Sequence, residues 1–79
     1  MSVKELSALL FSEGFHMVGT SSWEKGKVTI ILSKGFLYVV HSGVGTLGFP
    51  FREYDDFYIT VFGEKLVIYW NNMVYTHNI

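Results

Sequence analysis

Up to Ser12 the apolar positions recur with a helical period, from Phe15 to Trp23 little apolar alternation can be counted, and beyond that short apolar strands stand between turn residues. Val3, Leu6 and Leu10 fall on one stripe, with Leu9 and Phe11 widening it, while Lys4, Glu5, Ala8 and Ser12 face away. Ser2-Val3-Lys4-Glu5 matches a capping box, in which the Ser2 hydroxyl accepts from the Glu5 backbone N–H and the Glu5 carboxylate reaches back. Gly14 is the natural left-handed stop, which predicts a helix of about 12 residues. A helix this short is not stable alone in water. Its stripe is therefore expected to lie on a sheet, and it can cover one face only.

Phe57 to His77 reads as three strands joined by two-residue turns at Gly63-Glu64 and Asn71-Asn72. Glycine at the first central position suits a type II′ turn, and asparagine tolerates the positive φ of a type I′ turn. Pairing outward from these turns sets Phe62 opposite Lys65, Thr60 opposite Val67, Tyr58 opposite Tyr69, Trp70 opposite Met73 and Ile68 opposite Tyr75. One face then carries Phe57, Ile59, Val61, Leu66, Ile68, Trp70, Met73 and Tyr75. The other carries Tyr58, Thr60, Phe62, Lys65, Val67, Tyr69, Val74 and Thr76. Neither face is properly polar.

Before this meander, Phe15–Trp23 reads as a first strand, Glu24-Lys25-Gly26 as a turn, and Lys27–Ser33 and Phe36–Ser42 as a hairpin about Lys34-Gly35. That hairpin pairs Leu32 with Leu37, Ile30 with Val39 and Val28 with His41, leaving Thr29, Ile31, Phe36, Tyr38 and Val40 on the opposite face. Gly43 to Asp56, with Gly43, Gly45, Gly48 and Pro50, reads as a long connection, and connections of this length are disproportionately functional. The pattern predicts an α+β domain spanning residues 1–79, with the N-terminal helix packed on one antiparallel meander sheet of about five or six strands. The alternative is a small β-roll or barrel with the helix plugging one end.

Charged residues make up 16% of the chain and aromatics 18%, against roughly 25% charged in typical soluble domains. Six Lys plus Arg against seven Asp plus Glu give a net charge of −1, so the basic footprint of a nucleic-acid binder is missing. No apolar run approaches the ~20 residues of a membrane span, and the N-terminus carries no signal-peptide pattern. There is no cysteine. These features give the expectation of a soluble, cytoplasmic protein.

Candidate chemistry is sparse. Gly43-Val44-Gly45-Thr46-Leu47-Gly48 spells a dinucleotide fingerprint, yet Phe49-Pro50-Phe51 stands where a helix should begin, so a glycine turn is the better reading. Glu53, Asp55 and Asp56 lack the ligand alternation of a calcium loop and read as a solvated acidic cluster that steers a basic partner surface. His16, His41 and His77 sit at predicted strand ends without metal-ligand spacing. No cofactor or metal is implied, and no nucleophile stands in an activating setting.

The opening segment, Lys4-Glu5-Leu6 through Leu9-Leu10 to Gly14-Phe15 and Val18, resembles the start of the HicA-type toxin ribonucleases over about the first third of the chain. In that family a histidine follows the Gly-Ser of the second strand. Here Gly19-Thr20-Ser21-Ser22 has none, and strands replace the family's later helix, so the resemblance carries over no catalytic residue.

Function is thus read from surface. Tyr38, Tyr58, Phe62, Val67, Tyr69 and Val74, with Ile31 and Val40, are expected to form an apolar face away from the helix, larger than soluble monomers tolerate. Together with Glu53, Asp55 and Asp56 it would be a protein-binding surface. The reading is a small non-catalytic binding module, either a homodimer or an inhibitor or adaptor of a larger protein, of the kind a virus or phage encodes against a host protein. The second reading is a small-molecule binder using the 43–56 loop and sheet aromatics, and an enzyme ranks last.

Overall fold

The computed structural model describes residues 1–78. The helix α1 spans Val3–Ser12, and eight strands follow: β1 His16–Gly19, β2 Ser22–Lys25, β3 Val28–Ser33, β4 Phe36–His41, β5 Gly45–Pro50, β6 Phe57–Phe62, β7 Lys65–Trp70 and β8 Met73–Asn78. The α+β class with an N-terminal helix holds, but the single sheet does not. The strands form two antiparallel meanders, a five-stranded sheet β1–β5 and a three-stranded sheet β6–β8.

The capping box forms as read: Ser2 Oγ accepts from Glu5 N at 3.1 Å, and Ser2 N donates to Glu5 Oε1 at 3.0 Å. Gly14 takes φ of +90°, with the helix itself ending at Ser12. Leu6 and Leu10 are fully buried, whereas Val3 and Phe11 stay exposed, so the buried stripe is narrower than the sequence pattern.

Both tight turns of the second meander have the expected backbone, and the two-residue turn at Lys34-Gly35 is present. Positive φ occurs at Gly63, at Asn71 and Asn72, and at Lys34 and Gly35, as the II′ and I′ types require. Every pairing derived from them is present, from Phe62 with Lys65 to Ile68 with Tyr75 and from Leu32 with Leu37 to Val28 with His41.

Three stretches differ from the sequence reading. Glu24 and Lys25 belong to β2, so the turn expected at Glu24-Lys25-Gly26 falls at Gly26-Lys27. Phe15–Trp23 holds a tight reversal rather than one strand, with β1 and β2 paired around Thr20-Ser21 and a register shift between Met17 and Gly19. The expected long connection is mostly strand β5, which sets Leu47 opposite Val39 and Phe49 opposite Leu37. Only residues 51–56 remain as a loop before β6.

The two sheets face each other. Trp23, Val28, Ile30, Leu37, Val39 and Phe49 from the first and Phe57, Ile59, Leu66 and Ile68 from the second form one buried cluster with Leu6, Leu10 and Phe15. Phe49 lies between the layers, its ring 6.2 Å from Phe57, 5.6 Å from Trp70 and 5.5 Å from Tyr75. Each meander thus covers the inward face of the other, a cover the single-sheet reading did not foresee.

The helix fills one seam between the layers. Lys25 Nζ on β2 donates to the carbonyls of Glu13 at 2.6 Å and Val61 at 3.3 Å, and the Tyr58 hydroxyl bonds the Glu13 carboxylate. At the helix start, the Met1 amino group donates to the carbonyls of Glu53 and Asp55. The other seam runs between the outer strands β5 and β8, which pair with each other nowhere. No helix among the described residues is long and apolar enough to cross a membrane.

Candidate functional site

The residues expected to share one apolar surface lie on two. Ile31, Tyr38 and Val40 belong to the outer face of the five-stranded sheet, while Tyr58, Phe62, Val67, Tyr69 and Val74 belong to the outer face of the three-stranded one. Because the sheets turn their inner faces toward each other, these outer faces point apart. Tyr38 also has local work: it stands opposite Gly48, where an added Cβ would come within 3.3 Å of its ring, and it stacks on Phe36 at 6.2 Å. A glycine there lets the tyrosine lie flat across the strand and protect it.

The outer face of the three-stranded sheet is organised in rows across the strands. Tyr58, Tyr69 and Val74 form one row, Thr60, Val67 and Thr76 the next, and Phe62, Lys65 and Asn78 the third. Phe62 is 83% exposed, Val74 60% and Tyr58 46%, with Val67 and Tyr69 half-buried. The Tyr58 hydroxyl, tied to Glu13, has its pKa raised by that hydrogen bond. Tyr69 donates to Asn72 Oδ1 at 2.8 Å. Both phenols are therefore held at one end and present their rings.

The acidic cluster divides. Glu53 and Asp56 are exposed, but Asp55 is only 4% exposed and is not the solvated acid expected. Its carboxylate accepts from Arg52 Nε at 2.9 Å and Nη2 at 3.2 Å and from Asn71 Nδ2 at 2.9 Å. The Arg52 hydrogen bond, followed by that of Asn71, holds its pKa below the usual carboxylate value. Arg52 also lies over the Tyr54 ring, 4.9 Å from its centroid. Asp55 therefore braces the 51–56 loop against the β7–β8 turn, which leaves Glu53 and Asp56 as the acids that a partner can meet.

The glycine-rich segment builds no phosphate cradle. Val44 N donates to His41 O at 3.0 Å, closing a tight turn into β5, and among the described residues no helix follows. This turn does border a cavity of about 160 Å³ at the β5–β8 seam. Its walls include Val39 and His41 of β4, Val44 and Leu47 near β5, and Leu66 and His77 of the opposite sheet. Among the described residues that line it there is no Phe, Tyr or Trp, the aromatics expected of a pocket. Two of the three histidines line it, one from each sheet. His41 is 5% exposed, and its Nδ1 is buried without a hydrogen-bond partner.

Alternation along β4 carried a signal for His41, which lies in phase with Leu37 and Val39 on the inward face. Nothing local ties it to His77, since their sharing a cavity depends on how the sheets face. Among the described residues no group of three or more His, Cys, Asp or Glu could hold a metal ion. Comparison with known proteins found no matching family model, no similar curated protein and no similar solved structure.

Proposed function

We propose that the chain is a non-catalytic protein-binding module, an inhibitor or adaptor that docks the outer face of its three-stranded sheet on a larger protein. The observation that carries this reading is the apolar row Tyr58–Tyr69–Val74, uncovered on a face whose registers are pinned by two tight turns. Tyrosine rings offer large contact area at little conformational cost and are enriched at such surfaces. Exposed Glu53 and Asp56 lie in the loop that is hydrogen-bonded to the turn at one end of this face. The complementary partner surface is an apolar patch with a basic rim, since opposite charge steers encounter and fixes orientation. The absence of cysteine fits a reducing compartment such as the cytoplasm.

The test compares capture of proteins from a source-cell extract by the wild-type chain, by Val74→Lys, by the pair Glu53→Gln with Asp56→Asn, and by Val18→Lys on the far sheet as a control. A protein held by wild type and control, lost with Val74→Lys and weakened by the amide pair and by salt, is the expected result. Capture indifferent to Val74→Lys removes the face from the function. Light scattering on the same samples detects a homodimer; one that Val74→Lys dissociates would replace the larger protein by a second copy of the chain. A monomer that captures nothing overturns the reading.

A further inference from the structure

We propose that the cavity at the β5–β8 seam is a binding site for a small neutral molecule made of one ring and one hydroxyl, a phenol or a cyclic alcohol of that size. The site is separate from the docking face, because none of the residues that line it lies on that face. Apolar cavities near 150 Å³ admit a benzene-sized ring, and this one measures about 160 Å³. Val39, Leu47 and Leu66 supply an apolar lining, and His41 and His77 supply its imidazoles.

The head group follows from the histidines. His41 Nδ1 is sealed off from solvent without a partner, and an orphaned N–H is rarer in protein interiors than an under-satisfied acceptor. The ring proton therefore belongs on Nε2, the nitrogen left to serve an occupant of the cavity. A neutral imidazole carries one donor and one acceptor nitrogen. A hydroxyl that accepts from His41 Nε2 and donates to half-buried His77 pairs one nitrogen of each ring. A carboxylate fits less well, since no lysine or arginine among the described residues lines the cavity and an unpaired buried charge is costly. A metal ion would find only these two histidines, with no third ligand among the described residues.

Titration with phenol, followed by the histidine ring signals in heteronuclear NMR, tests the site, with benzene, benzoate and zinc as comparators. Saturable shifts are expected at His41 and His77 and not at His16, which is exposed on β1. Benzene, lacking the hydroxyl, should bind about tenfold more weakly. His41→Phe should lose about the same factor for phenol while keeping benzene. His77→Val provides a second arm should His41→Phe fail to fold, with a loss confined to phenol. Equal affinity for benzene and phenol would make the cavity merely apolar, and tighter benzoate would make it an anion site. Zinc shifting both histidines while phenol does not would make it a metal site. No saturable shift at phenol concentrations that leave the melting temperature unreduced removes the site altogether.

Discussion

Asn71 Nδ2 donates a 2.9 Å hydrogen bond to Asp55 Oδ1, fastening the β7–β8 turn to the loop that leads into β6. Asp56 N returns a bond to Asn71 Oδ1 at 2.9 Å, and the Asn71 backbone donates to Asp56 O at 3.0 Å. Asn71 therefore does two jobs, holding a φ of +46° in the turn and clamping the loop with its amide. Asn71→Gly separates them, because glycine keeps the backbone conformation without the amide. Loss of the side-chain bonds, one of them to a buried carboxylate, should cost about 1–3 kcal/mol in urea unfolding. An unchanged midpoint would mean that the turn conformation alone matters.

The same clamp gives stability a pH dependence. The Arg52 hydrogen bond, and then that of Asn71, hold the Asp55 pKa below its ordinary value of 3.8. A carboxyl depressed in the folded state contributes stability that is fully present above the unfolded pKa and is lost as pH falls through the folded one. Melting temperature should therefore decline from just above pH 3.8 downward. Asp55→Asn should melt lower than wild type at neutral pH and show a shallower acid decline. Parallel profiles for the two proteins would assign the acid sensitivity to other carboxylates.

What the sequence made legible was local. Asn71-Asn72, Gly63-Glu64 and Lys34-Gly35 each fix a hairpin register, because turn type sets pairing and pairing sets face. Strand β5 was hidden because Gly45, Gly48 and Pro50 are poor strand residues; its place on the sheet is secured by pairing with β4 and by Tyr38 lying over Gly48. The mutual covering of the sheets was not legible, since alternation says which residues turn inward and not what they meet. Asp55 reads as a surface acid for a similar reason. Its burial depends on Arg52 three residues back and on Asn71 from another turn.

Facing sheets make Phe49 a test of the architecture. Its ring touches three strands of the opposite sheet, through Phe57, Trp70 and Tyr75. Phe49→Ala should cost about 3–5 kcal/mol by chemical denaturation, the usual range for emptying a buried aromatic site. A loss below about 1 kcal/mol, the scale of an ordinary surface substitution, would be incompatible with a ring held between two layers.

Helix α1 is tied down at its start by reciprocal bonds between Ser2 and Glu5. The Ser2 backbone bond is also the leading cause of the lowered Glu5 pKa. Ser2→Ala should cost about 1 kcal/mol and raise the Glu5 pKa only part of the way toward its ordinary value, because alanine keeps the backbone N–H and removes only the second cause, the serine hydroxyl. Denaturation and carboxyl NMR titration on one sample check both. A stability loss with the Glu5 titration unmoved would break the link between them.

Val67 and Ile68 are neighbours on the central strand β7 and should respond to the same substitution in opposite ways. Ile68 is fully buried between the layers, opposite Ile59 and Tyr75. Val67 points outward, half-buried, with Thr60 and Thr76 on either side of it. An aspartate at 68 would place a carboxylate in an apolar interior with no cation to receive it, which is far more costly than an exposed substitution. At 67 the flanking hydroxyls can donate to the new carboxylate, and the cost is chiefly the weak strand preference of aspartate, about 1 kcal/mol. Ile68→Asp should therefore fail to fold, while Val67→Asp should melt as a single cooperative transition a few degrees below wild type. Val67→Asp should also bind its partner more weakly, because a charge in the middle row must be desolvated when the face is covered. Unfolding of Val67→Asp would mean that the outer face is packed within the monomer. Unimpaired binding by a folded Val67→Asp would place the contact elsewhere on the molecule.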